Sequence, residues 1–123
     1  MDEAQPPMRF DRLPGRRWAF VEDDKLGYYL GTAATPSQRA GVFRGVLGFT
    51  DPDDLRRAIL DHACSWPAEV HAVRSHGVIY NVIGPMVGPS GRRIERMITA
   101  WIVEPGSASP RNVTAFPDRR RRV

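Results

Sequence analysis

His62 and Arg96 are the two residues whose type and spacing most clearly invite a chemical reading, because each carries a polar head on an otherwise apolar face. Leu55, Ala58, Ile59 and His62 recur at i, i+3, i+4 and i+7, so an imidazole continues the buried stripe of a helix. It needs a partner for at least one ring nitrogen, either as a satisfied structural histidine or as a proton-transfer group in a site. Alternation along Ile94, Arg96, Ile98, Ala100 and Ile102 puts a guanidinium among apolar neighbours on a strand. Such a charge pairs with an acid, for instance Glu69 or Asp61, reaches an edge, or lines a cleft.

Metal chemistry calls for clustered ligands, and His62, His71 and His76 are spread over a helix, a strand and a turn, so neither a metal nor a cofactor is expected. GxxxxGK[ST], GxSxG and GxGxxG are absent, and Gly88-Pro89-Ser90-Gly91-Arg92 reads as a hairpin turn because Pro89 offers no amide donor. Metal-free cleavage of RNA suits the residues better. That reaction uses the substrate's own 2′-hydroxyl and asks the protein for a base, an acid and cations around the phosphate. Lys25 and His62 are the proton-transfer candidates, with Arg96 at the phosphate. Arg39 and Arg93 are further phosphate ligands, and Thr114 and Tyr80 add hydroxyl donors. The bland alternatives are solvated arginines and lysine; Trp101 is assigned to the core, and Phe116 either stacks a base or fills the core.

These residues must be positioned by a small domain. The chain carries 18 Lys and Arg against 14 Asp and Glu, a net charge of +4, and 41% of its residues are apolar. That composition specifies a globular body with a basic surface, attractive to phosphate polymers, acidic proteins or anionic membranes. A single cysteine, Cys64, is read as a small packed residue of a reducing, cytoplasmic compartment. No apolar run approaches a membrane span and no signal-peptide core opens the sequence, so no membrane partner is expected.

Periodicity places three helices before the strands. Glu22, Asp23 and Asp24 open a short helix ended by Gly31. Thr35-Pro36-Ser37-Gln38 caps a second, with Ala40, Phe43 and Leu47 as its stripe, and Asp51-Pro52-Asp53-Asp54 caps the third. Strands follow over 69–74, 78–83, 94–103 and 112–116, the first only loosely alternating, and Gly84-Pro85 implies a bulge. The expected fold is α+β, with N-terminal helices packed on one face of a three- to four-stranded antiparallel sheet. Residues 1–19 form a flexible arm touching the body through Phe10, Leu13 and Trp18; 20–117 form one domain; 118–123 form a basic tail containing Arg119 to Arg122.

From Glu22 onward the order of motifs is informative. Lys25-Leu26-Gly27-Tyr28-Tyr29-Leu30, Val42 to Phe49, Ile59-Leu60-Asp61-His62-Ala63, Gly77 to Arg92, Ile98 to Val103 and Pro110 to Pro117 occur in that sequence. The chain resembles the bacterial family catalogued as domain of unknown function 6883, with Phe116 in place of a terminal tyrosine and Asn112 in place of an apolar residue. The ending is more distantly similar to compact RNase toxins of the barnase, EndoU and RelE group. That resemblance implies a toxin-type protein acting on RNA and restrained by a small cognate protein of the antitoxin or immunity type. The rival expectation is a non-enzymatic interaction domain that binds an acidic partner protein through the same basic cleft and an exposed sheet edge, as in a toxin–antitoxin pair or phage-related module; a third is nucleic-acid binding without turnover, with the Arg119 to Arg122 tail supplying affinity.

Overall fold

The computed structural model describes residues 9–10, 12–32 and 39–119. Its architecture is α+β, an antiparallel sheet with helices on one face. Strands β1 (Arg9–Phe10), β2 (Ala68–Arg74), β3 (Gly77–Val87), β4 (Arg93–Val103) and β5 (Arg111–Pro117) lie in sequence order across the sheet. Every pairing between neighbours is antiparallel; β2 to β5 are joined by short returns of the chain, whereas β1 reaches β2 across the whole helical region. Helices α1 (Asp23–Leu30) and α2 (Pro52–Ser65) cover one face, joined by a π-helical segment, Gly41–Val46. Among the described residues no helix is long and apolar enough to cross a membrane.

The local signals act as their chemistry dictates. The Asp51 carboxylate accepts the Asp53 amide at the start of α2, where Pro52 has no amide to leave unsatisfied. Gly31 ends α1 in the left-handed region at φ 76. The cap expected at Thr35 to Gln38 lies outside the described residues. Phe43 and Leu47 of its stripe are fully buried, and the wider π turn carries bonds from Leu47 N to the Val42 carbonyl and from Gly48 N to the Arg44 carbonyl.

The core lies between helices and sheet. Trp101 is fully buried at its centre, with Tyr29, Phe43, Leu55, Ile59, Val82 and Met97 around it. Burying a Trp removes 150–250 Å² from water, roughly 4–6 kcal/mol of transfer free energy at about 25 cal/mol per Å². The first 19 residues are more than an arm where they are described: Leu13 is fully buried, and Phe20 bridges to Arg111 beside β5. Trp18 does not dock, being 61% exposed with Arg17 over its ring.

Three register shifts shape the sheet. One lies in β2 between Val70 and Ala72, one separates the pairs Gly84/Met97 and Met86/Ile94, and one lies between Ala100 and Trp101 of β4, where β5 carries Val113 as the extra residue. Past the second, Ile94 packs against the helix-side core and leaves the face it was expected to share with Arg96. The β3–β4 turn is pinned to the end of the π segment, with Ser90 N bonded to the Leu47 carbonyl and Ser90 Oγ to the Val46 carbonyl. Gly88 sits so close that a Cβ there would collide with the Leu47 carbonyl oxygen. Gly88→Ala is therefore expected to cost about 2 kcal/mol, the range of an overpacked contact with backbone, read as a lowered urea midpoint.

Candidate functional site

The expected pair of His62 and Arg96 is divided by the sheet. His62 projects from α2 onto the inner face and is 3% exposed. Its Nε2 donates to the Gly84 carbonyl at 3.0 Å, which leaves Nδ1 to accept from the Thr99 hydroxyl at 2.9 Å. Thr99 Oγ1 accepts in turn from Trp101 Nε1 at 2.9 Å. The relay Trp101, Thr99, His62, Gly84 uses every donor it contains, and the imidazole is neutral. Burial pulls its pKa below the usual histidine value, against the opposing effect of the Gly84 carbonyl bond. Although the ring borders a surface cavity of about 220 Å³ beside Ser65 and Trp66, neither nitrogen is available to a substrate.

Arg96 is three residues from Thr99 and faces the other way. Its side chain is 52% exposed, and Nε and Nη2 both donate to Asp118 Oδ2, at 3.1 and 2.7 Å. Asp118, with 4% of its side chain exposed, also donates its amide to the Arg96 carbonyl. The partner is thus Asp118 and neither Glu69 nor Asp61.

The other expected residues divide in the same way. Lys25 is half-buried on α1 in the helical layer. Tyr80 faces Trp101 and packs on the inner core. Thr114 pairs with Ala100 on the open face, and Arg93 forms an exposed ion pair with Glu95 at 2.7 Å. The Arg39 guanidinium lies over the Phe116 ring, 5.5 Å from its centroid. Lys25, His62, Arg96 and Thr114 therefore do not form one constellation. Cys64, expected as a small packed residue, is exposed, because it lies off the buried stripe of α2 formed by Leu55, Ile59, His62 and Ala63.

What the fold does assemble is a trough on the open face of the sheet, about 500 Å³ in volume. Register builds its floor: Ile83, Ile98 and Phe116 lie side by side on β3, β4 and β5, and Asn81 stands in the next row beside Glu69. β2 builds one wall: Glu69, half-buried, and His71, exposed and unpaired at the bulge, are two positions apart on the strand and line the same trough. Asp118 and Arg119 close the opposite side, about 14 Å away at three strand spacings. A smaller recess of about 140 Å³, sharing Glu69 and Ile83, extends the trough to Arg96. Carboxylate, imidazole and two guanidines thus surround an apolar floor. Among the described residues no group of three or more His, Cys, Asp or Glu is arranged to hold a metal ion.

The family described as Domain of unknown function (DUF6883) matches residues 12–119. The chain belongs to that family. No curated protein and no solved structure matches it.

The DUF6883 match takes in α1, α2 and all of β2 to β5, hence both faces of the sheet and every residue lining the trough. Of the trough residues, sequence reasoning had named Arg96 and Phe116 for a site but not Glu69, His71, Asn81 or Asp118 in such a role. For Glu69 and His71 the available signal is their two-residue spacing, which puts both side chains on one face of a strand. Asn112 is fully buried and serves the inner face. Its Nδ2 donates to the Ala100 and Thr114 carbonyls at 3.0 and 3.2 Å, across the β4–β5 register shift, and its Oδ1 accepts from Tyr29 Oη at 2.5 Å. Burial pushes the Tyr29 phenol pKa well up, keeping that proton in place to donate. Asn112→Ala is expected to lose about 2 kcal/mol by orphaning these groups, while Tyr29→Phe loses about 1 kcal/mol; urea titration of both variants checks the order.

Proposed function

We propose that this protein is a small toxin-type ribonuclease that cleaves RNA without a metal at the open face of its sheet. The observation that carries the reading is the trough, with the His71 imidazole and the Glu69 carboxylate on one wall and Arg96 and Arg119 along the rest of the rim. In the proposed reaction Glu69 removes the proton of a ribose 2′-hydroxyl, the 2′-oxygen bonds to the adjacent phosphorus, and the bond from phosphorus to the 5′-oxygen breaks. His71 gives its proton to that leaving oxygen. The products are a 2′,3′-cyclic phosphate and a free 5′-hydroxyl, and charge building on the phosphoryl oxygens is met by the guanidines. Asp118 holds Arg96 by two bonds to one oxygen, fixing its plane without occupying all of its donors. The net charge of +4 favours a polyanion as substrate.

The test is degradation of RNA by purified protein in EDTA, with DNA of the same sequence as control. Cleavage of RNA alone, giving cyclic phosphate ends, is expected; intact RNA under these conditions sinks the reading. Induced expression is expected to arrest growth and a co-expressed small partner to relieve it. The rival reading, an interaction domain without turnover, is favoured by the apolar floor of the same trough, and it predicts partner binding with no RNA cleavage and no growth arrest.

A further inference from the structure

We infer that the floor of the trough is a base-binding subsite, so that the substrate of the proposed reaction is an unpaired RNA segment rather than a duplex. This rests on the ribonuclease reading and adds to it the conformation of the substrate. The trough holds about 500 Å³, within the roughly 300–1,000 Å³ of sites that enclose a small ligand. Its floor combines one aromatic ring, Phe116, with the aliphatic surfaces of Ile98 and Ile83 in the same row. A flat ring system is the group that such a floor accepts without leaving polar atoms stranded. Asn81, in the adjoining row, is an amide that can both donate to and accept from the edge of that ring system.

Phe116 is already oriented for this. The Arg39 guanidinium lies over its ring, so the side chain is held from another element while it remains part of the trough floor. Bases in a duplex are stacked on each other and present only their edges, whereas an unpaired strand can lay a base on Phe116 with its backbone against Arg96 and Arg119. Recognition of unpaired RNA by aromatic side chains on an open sheet is a general solution to that geometry.

The experiment measures binding of a short 2′-O-methyl oligoribonucleotide, whose blocked 2′-oxygens prevent cleavage, free and annealed to its complement, by fluorescence anisotropy. The single strand is expected to bind at least about tenfold more tightly than the duplex. Phe116→Leu keeps an apolar side chain but removes the ring face, and it is expected to weaken single-strand binding about tenfold, within the range one stacked base contributes. Phe116→Tyr keeps the face and is expected to stay within about twofold of the parent. Asn81→Ala is expected to flatten any preference among homopolymers while leaving the melting temperature within a few degrees. Equal affinity for single strand and duplex, or unchanged binding in Phe116→Leu, overturns the subsite. If that happens while the parent still cleaves RNA in EDTA, the ribonuclease reading stands without it; if the parent neither cleaves RNA nor binds the oligonucleotide, both fall.

Discussion

Replacing His71 by Ala, or Glu69 by Gln, is expected to lower the rate of RNA cleavage by about 10²–10⁴-fold in each case, the usual contribution of a positioned acid or base. Both side chains lie on β2 at the rim of the trough, Glu69 half-buried and His71 exposed, so neither is part of the folding core. Their removal is expected to leave the urea midpoint nearly unchanged, which separates loss of chemistry from loss of fold. The double variant is expected to be no worse than the more damaged single one, because residues acting on one proton-transfer sequence are not additive. Retention of full activity by either single variant removes that residue from the mechanism. His62 serves as the contrast, since its substitution acts on stability.

His62→Ala is expected to destabilise the protein by about 3 kcal/mol, because it opens a cavity beneath the sheet and leaves the Thr99 hydroxyl and the Gly84 carbonyl without their partner. The same burial makes the fold acid-sensitive. With its pKa lowered in the native state, His62 stays neutral there while the unfolded chain takes up a proton as pH falls through about 6.5. The contribution of His62 is thus fully present above that value. It is lost at up to about 1.4 kcal/mol per pH unit below it, until the native pKa is reached. Urea unfolding at pH 7.5, 6.0 and 5.0 measures the slope. In a His62→Gln variant the portion due to this group should disappear, and an identical slope in parent and variant would show that the imidazole is not the titrating group.

The role of His62 could be narrowed to two alternatives from the sequence but not decided. An imidazole at the end of an apolar stripe faces inward whatever it does there. Its donors and acceptors come from Thr99 and Gly84, which lie 37 and 22 residues away along the chain. Pairing across that distance is a matter of sheet register, which a stripe on one helix does not contain. Arg96 illustrates the same limit. Its place among apolar neighbours was legible from alternation, yet its partner, Asp118, sits in the stretch expected to be a basic tail.

Bulges account for most of the remaining difference. A single extra residue reverses the face of everything beyond it, so Ile94 left the expected row, and in β2 the reversal acts from Ala72 onward, while Glu69 and His71 share a wall by ordinary alternation. Gly84-Pro85 announced the shift before Ile94, because a proline interrupts ladder bonding. Nothing comparably local announced the one at Val113, which Asn112 stabilises through carbonyls on two strands.

By itself the sequence determined the elements, because helix caps, turn glycines and apolar period are local properties: an antiparallel sheet with helices over one side, Trp101 in its core, and a basic surface. Which side chains meet was decided only by the tertiary structure. The sheet is a two-sided wall one residue thick, and whether Glu69, His71 and Arg96 share a side or face away from His62 depends on register and bulges set by contacts between distant segments.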